Sequence, residues 1–251
     1  MTATGQEYGD AVNGASQKVA IVTGGSQGIG AGVVDAYRRL GWAVVANALT
    51  ISPPADPDVL TVEGDISKQA TADEIMRQAM ARFGRVDTLV NNAGLFLSKP
   101  FTDYTADDYT LVTGVNLAGF FWLTQRVIGQ MVTQGSGHVV NVSASVADFA
   151  DSVEPTAMAA LTKGGLAAVT KSLATEYASR GVRVNAVAPG IIQTPMHPPE
   201  AYTPEALAGK LPPLGHAGQV SDVVGGIMYL ESAPYVTGEI LHIDAGRTVG
   251  H

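Results

Sequence analysis

The chain has no cysteine among its 251 residues. That excludes a disulfide framework, a thiolate nucleophile and a Cys-ligated zinc site, and no metal is expected. Charge is scarce as well. Asp, Glu, Lys and Arg make up 15% of residues, against roughly 25% in ordinary soluble domains. The 15 basic and 23 acidic side chains leave a net charge of −8. With no Lys/Arg cluster, such a chain is a poor partner for nucleic acid or an anionic membrane surface. Long apolar runs are missing too. The longest largely apolar stretch, Val115 to Leu123, falls far short of the ~20 residues that span a bilayer. No basic residue precedes Lys18, so no charged segment leads into an apolar one as in a secretory signal. A soluble, cytoplasmic protein acting on a small molecule is expected, with no membrane or nucleic-acid partner.

Glycine, by contrast, is plentiful at 29 residues, about 12% where roughly 7% is average. At 46% hydrophobic the chain is too apolar to be mainly disordered. Much glycine with little charge points to a buried sheet and to backbone packed close to something. Residues 1–17 are polar, Gly/Ala/Ser-rich and aperiodic, and read as a mobile tail or an ordered arm on a partner subunit. From Lys18 onward, short β-branched runs alternate with helical patterns. The strands expected are Val19–Val22, Ala43–Ala46, Leu60–Val62, Thr88–Val90, His138–Val142, Val182–Val187 and Glu239–Ile243. The helices expected are Ile29–Leu40, Ala72–Phe83, one long helix over Ala106–Thr133, and Thr156–Ser179. Near-continuous apolar strands separated by helices mean a parallel sheet covered on both faces. The fold class is therefore α/β, a single doubly wound Rossmann-type domain over 18–251. Six of the 13 prolines fall between Pro195 and Pro213. That Pro-rich excursion, at about 193–217, reads as a lid rather than a disordered insert.

Between the first strand and the first helix lies Thr23-Gly24-Gly25-Ser26-Gln27-Gly28-Ile29-Gly30. Glycines there allow a tight turn, a close backbone approach to a pyrophosphate, and close helix–strand packing. The helix N-terminus then offers unpaired N–H groups and its positive dipole end to the phosphates. At the end of the second strand an acid would accept from ribose hydroxyls, and a basic residue would pair with a 2′-phosphate. The segment reads Ala46-Asn47-Ala48-Leu49-Thr50 and has neither, so NAD and NADP both stay open.

The loop Thr-Gly-x-x-x-Gly-Ile-Gly is followed by Gly64-Asp65, Asn91-Asn92-Ala93-Gly94 and Asn116. Arg183 through Gly190 with Thr194 comes next, and then Gly238 through Asp244. In this order and combination the chain resembles the short-chain dehydrogenase/reductases from about Lys18 to Arg247. The resemblance implies an NAD- or NADP-dependent oxidoreductase, usually a homotetramer. It implies that Gly24, Ser26, Gln27, Gly28, Ile29 and Gly30 surround the pyrophosphate. Asp65 and Ile66 would meet the adenine. Asn91, Asn92, Ala93 and Gly94 would line the ribose side, and Pro189, Gly190, Ile192 and Thr194 would hold the nicotinamide.

For catalysis the same family uses a Ser, an upstream Asn, and a Tyr and Lys spaced i, i+4 on one helix face. Asn116 matches the Asn and Lys163 matches the Lys, which would also bind the nicotinamide ribose. Four residues before Lys163 stands Ala159, where the family has Tyr. None of the eight tyrosines lies between Tyr109 and Tyr177. Tyr177 is 14 residues beyond Lys163, about 21 Å along a helix, too far to substitute. The Ser position falls on Ala144, flanked by Ser143 and Ser145. Either Ser145 turns into the site or it caps a strand end. Three readings follow. The protein is an oxidoreductase with another proton source: Lys163 through a water, or His197, Tyr202 or Glu154. Or it binds the nucleotide with little catalysis, as a sensor or subunit scaffold. Or its substrate, such as an iminium, needs no strong acid. Phe96, Val146, Phe149, Met196, Tyr202 and Leu207 fall in segments resembling substrate-pocket walls, so an apolar or aromatic ketone, alcohol or imine is expected.

Overall fold

Strands β1 (Val19–Thr23), β2 (Ala43–Ala48), β4 (Thr88–Asn91) and β5 (Gly137–Val142) carry almost no exposed residue. Their β-branched runs have helices on both sides, and the continuous apolar pattern follows from that. With β3 (Val59–Glu63), β6 (Val182–Pro189) and β7 (Ile240–Ile243) they form one seven-stranded sheet. Its order is β3-β2-β1-β4-β5-β6-β7 and every pairing is parallel. These features come from a computed structural model describing residues 17–53, 55–150, 154–196, 198–203 and 205–250. Most of the expected N-terminal tail, and His197, lie outside the described residues.

The helices are α1 (Gly28–Arg39), α2 (Gln69–Phe83), α3 (Ala106–Thr113), α4 (Phe120–Gln134), α5 (Ala157–Tyr177) and α6 (Val220–Ser232). Alternate strand residues feed two cores. Ile21, Val45, Leu89 and Val139 join Ile75, Leu123 and Met131 on one face. Ala20, Val22, Val44, Val90 and Val140 join Val33, Tyr37, Val223, Ile227 and Leu230 on the other.

Two elements depart from the sequence expectation. The single helix expected over 106–133 is two helices, α3 and α4, joined by a π-helical turn at Gly114–Gly119. The backbone stays right-handed helical at Thr113, Gly114, Gly119 and Phe120, so the helical pattern runs straight through the π turn. Helix α6 is not among the expected elements at all. Its paired Gly225-Gly226 weakens the helical signal, but Ile243 packs so tightly that a Cβ at Gly226 would sit 2.3 Å from its Cδ1. Gly226 thus gives α6 close packing against β7, while Gly225 faces open space, and burial of Val223, Ile227 and Leu230 holds the helix. The Pro-rich excursion carries one short 3₁₀ turn, Pro199–Tyr202.

Candidate active site

The carboxyl ends of β1, β4, β5 and β6 meet around one crevice, where the strand order reverses beside β1. Open parallel sheets bind ligands at such a switch point. The glycine loop runs from β1 into α1 there. A Cβ at Gly30 would lie 2.1 Å from the Gly24 carbonyl oxygen and 2.6 Å from Asn92 Nδ2. Only glycine fits, and the loop is folded onto itself close enough to leave backbone facing outward. Asn92 clamps it: its amide donates to Thr23 O (2.9 Å) and Gly24 O (3.2 Å). Thr23 Oγ1 in turn accepts from the backbone N–H groups of Asn92 and Ala93, at 3.0 Å each. Thr194 closes the other side, with its Cβ 3.5 Å from where a Gly28 Cβ would be. Asn91 has different neighbours from Asn92. Its amide is spent in the core on Thr124 and Asn141, 2.9 Å each, and so does not face a ribose.

Asp65 sits just past β3 and accepts from Ser67 N at 2.9 Å. Ile66 is buried against Gly119, 3.0 Å from the Cβ position there. At the end of β2, Asn47 donates to Val62 O and Gly64 O. Its Oδ1 is the one buried side-chain oxygen without a partner among the described residues. A cavity of about 340 Å³ opens at the end of β2, lined by Ser26, Ala46, Thr50, Ser52 and Thr61 among others. A tight backbone cradle at a helix N-terminus, with an orphaned acceptor and a hydroxyl-lined cavity next to it, fits a dinucleotide. No charged side chain lines that cavity.

The reactive end lies where β4 and β5 face the start of α5. The π turn between α3 and α4 carries Asn116 inward, where it is buried. Its Oδ1 accepts from Leu95 N (2.8 Å), and its amide donates to Leu95 O (3.0 Å) and Thr162 Oγ1 (3.1 Å). Lys163 projects from α5, and its Nζ donates to Val142 O at 2.8 Å. A Cβ at Gly94 would lie 3.0 Å from Lys163 Nζ and 3.5 Å from Asn116 Oδ1. Gly94, Asn116 and Lys163 thus converge, as expected from sequence. No carboxylate pairs with Lys163 among the described residues. Burial therefore brings its pKa down from 10.5 to about 8, because desolvation disfavours the charged form.

Ala159 lies one turn before Lys163 on the same helix face and is buried. The two serines differ. Ser143 Oγ donates to the Lys163 carbonyl at 2.9 Å, tying β5 to α5. Ser145 is buried at the start of a 3₁₀ turn, its carbonyl accepting from Asp148 N and Phe149 N. Of the loop candidates, Glu154 is paired with Lys210 at 3.7 Å. The Tyr202 hydroxyl bonds the backbone of Ile192 and Thr194. Tyr177 stands far off on the outer face, under the Arg180 guanidinium at 4.2 Å. Gly190 packs on Asp244, and Ile192 pairs with Gly218 in an isolated bridge. Among the pocket-wall candidates Leu207 is buried and Met196 exposed.

A doubly wound sheet with a glycine cradle at its switch point, and a lysine and asparagine converging beside it, defines a dinucleotide-dependent oxidoreductase. Residues 24–248 match the family described as enoyl-(acyl carrier protein) reductase. The 3beta-hydroxysteroid dehydrogenase 1 of Eggerthella lenta is 34% identical, over 92% of this chain and 94% of that protein. The 3-ketoacyl-(acyl-carrier-protein) reductase of Brucella melitensis complexed with NADH superposes with a TM-score of 0.83 at 28% identity. It covers 92% of this chain and 98% of that one. ElxO with NADP bound gives a TM-score of 0.86 at 27% identity, covering 93% and 100%. The chain belongs to the short-chain dehydrogenase/reductase family and is an NAD(P)-dependent oxidoreductase. No helix among the described residues is long and apolar enough to cross a membrane.

Proposed function

We propose that this enzyme reduces apolar or aromatic ketones or imines, or oxidises the matching alcohols, in a site that works without the family's phenol. The carrying observation is Lys163: a half-buried ammonium next to Gly94 and Asn116, with a backbone carbonyl as acceptor and the buried Ala159 methyl one turn away. The nicotinamide, when bound, supplies or takes up the hydride. Lys163 holds the ribose hydroxyls at Gly94 and passes a proton through a water to the substrate's carbonyl oxygen. Asn116 fixes the Leu95 backbone and Thr162 around that water's path. Reduction of a ketone consumes one hydride and one proton. Reduction of an iminium consumes the hydride alone and needs nothing from Lys163 beyond cofactor binding. The half-buried Phe96, Val146 and Phe149 and the buried Leu207 support an apolar pocket.

Gly24, Ser26, Gln27, Gly28, Ile29 and Gly30 are the residues for the pyrophosphate. Asp65 and Ile66 serve the adenine end, Asn92, Ala93 and Gly94 the ribose side, and Pro189, Gly190, Ile192 and Thr194 the nicotinamide. The uncharged cavity at the end of β2 supports binding of both NADH and NADPH. A cytoplasmic homotetramer is the expected setting.

A second reading rests on Ala159, whose methyl leaves no ionisable group where the family has one. On that reading the protein binds the nucleotide and catalyses little. Turnover of a carbonyl and imine panel separates the two. Activity in the wild type that falls 10²- to 10⁴-fold in Lys163→Ala, the usual contribution of a proton donor, supports the first. Turnover that appears only in Ala159→Tyr supports the second. Efficient turnover of polyols but not of apolar carbonyls would overturn the substrate class.

A further inference from the structure

We infer that Tyr202 is a positioning residue for the nicotinamide end of the cofactor, acting through the Thr194 backbone. This rests on the dinucleotide reading above. Tyr202 closes the 3₁₀ turn Pro199–Tyr202, eight residues beyond Thr194. Its hydroxyl accepts from Thr194 N at 3.2 Å. The same hydroxyl has Ile192 O at 3.0 Å and Thr194 O at 3.3 Å as acceptors for its proton. One phenol therefore accepts from the Thr194 N–H and shares its single proton between the carbonyls of Ile192 and Thr194.

The segment has a reason to need this. It leaves β6 at Pro189, makes the isolated Ile192–Gly218 bridge, and among its described residues has no helix or strand before the 3₁₀ turn. On its far side it is pinned by Gln193 N to Gly218 O (2.9 Å) and Gly218 N to Ile191 O (2.8 Å). Those bonds stop at Gln193. Beyond Gln193, the Thr194 N–H and carbonyl bond the hydroxyl of the half-buried Tyr202, and Met196 N donates to Thr194 Oγ1 at 3.4 Å. Thr194 and Pro195 in turn stand 3.5 and 3.6 Å from the Cβ position of Gly28 in the glycine loop. The phenol thus sets the distance between Thr194 and the phosphate cradle. A short rigid turn carrying a two-torsion aromatic does this at low conformational cost.

The assignment predicts a selective effect. Tyr202→Phe keeps the ring and removes only the hydroxyl. ADP-ribose carries the adenine, both riboses and the pyrophosphate but no nicotinamide. Loss of a neutral hydrogen bond is expected to weaken NADH or NADPH binding about threefold to tenfold. ADP-ribose binding and the melting temperature of the unliganded protein should stay near wild type. The measurement is calorimetric titration of wild type and Tyr202→Phe with NADH, NADPH and ADP-ribose. Equal affinities of the two proteins for all three ligands would overturn the inference, and so would equal weakening for ADP-ribose, which would make the hydroxyl a general brace. A wild type that binds ADP-ribose but neither nicotinamide dinucleotide would overturn it together with the cofactor reading.

Discussion

At the scale of single residues, Lys163 and Gly30 are the positions where geometry gives the clearest consequences. Lys163 carries a half-buried charge with the Val142 carbonyl for a partner. Its folded pKa of about 8 lies below the 10.5 of an exposed lysine. The cost of charging it in the fold is fully present below pH 8 and is relieved as pH rises from 8 to 10.5. Lys163→Met should therefore stabilise the unliganded protein at pH 7 by up to about 3 kcal/mol, the equivalent of the shift. That gain should fade above pH 10, and thermal melts across pH 7–10.5 check it. A gain that does not change with pH would mean the side chain is solvated. In the same enzyme, ketone reduction should fall as pH passes about 8 and Lys163 loses its proton. Gly30→Ala tests the cradle. The new methyl meets a backbone oxygen at 2.1 Å, so helix α1 or the loop must move. Overpacking of this kind costs about 1–3 kcal/mol, and dinucleotide binding should be lost with the fold largely kept. Fluorescence titration with NADH alongside circular dichroism reads both.

Secondary-structure elements are held to each other by a buried polar cluster at the opposite end of the sheet from the site. Glu231 Oε2, at the end of α6, accepts from Tyr37 of α1 (2.8 Å) and Thr88 of β4 (2.9 Å), and meets His138 Nδ1 of β5 at 3.0 Å. Asn185 of β6 bonds His138 Nε2 at 3.1 Å, and Arg183 reaches the carbonyls of Leu230, Glu231 and Val236. Burial holds the His138 imidazole below its usual pKa of 6.5, although Glu231 pulls it the other way. Burial raises the Glu231 carboxyl, but bonds from His138, Tyr37 and Thr88 outweigh it and keep the pKa below 4.5. Both signs agree. The unfolded chain takes up protons first at His138 as pH falls through 6.5, and again at Glu231 below 4.5, so stability drops toward acid. His138→Leu should cost about 1–3 kcal/mol at pH 7, by stranding the partners of the imidazole. It should also flatten the dependence of the melting temperature between pH 7 and 5. An unchanged slope would show that other groups carry it. None of this cluster is visible in sequence, since its members lie on five elements up to 194 residues apart. The elements themselves were largely legible. β1, β2, β4 and β5 follow from β-branched runs buried on both faces, and the glycine loop follows from its place between a strand and a helix. Asn116 and Lys163 were legible only through the family resemblance. The π turn that aims Asn116 inward keeps helical backbone on both sides and so reads as one continuous helix, and α6 hides behind Gly225-Gly226, of which Gly226 makes room for Ile243.

For the molecule as a whole, the low charge has a physical corollary on the outer faces of α4 and α5. A groove of about 340 Å³ there is lined by Phe121, Ile128, Val132, Leu173 and Tyr177 among others. Phe121 is 52% exposed, and Leu161 on the neighbouring face of α5 is 57% exposed. Scattered exposed apolar residues are ordinary, but an apolar groove lined by two long helices marks an interaction face. In the proposed homotetramer, the same two helices of a second copy would cover this face, paired about a twofold axis. A mass near four times 25.9 kDa is expected from light scattering of the purified protein. Phe121→Glu places a charge at the centre of that face on both partners at once. Two like charges brought together in a desolvated interface cost several kcal/mol, enough to release smaller species at micromolar concentration. Because Phe121 lies outside the glycine cradle and away from Lys163, the released species should still bind NADH. A wild type that is monomeric at high concentration would remove the interface altogether. A tetramer that survives Phe121→Glu would move the contact to another face. Dissociation with simultaneous loss of NADH binding would show that assembly, rather than the single chain, orders the crevice.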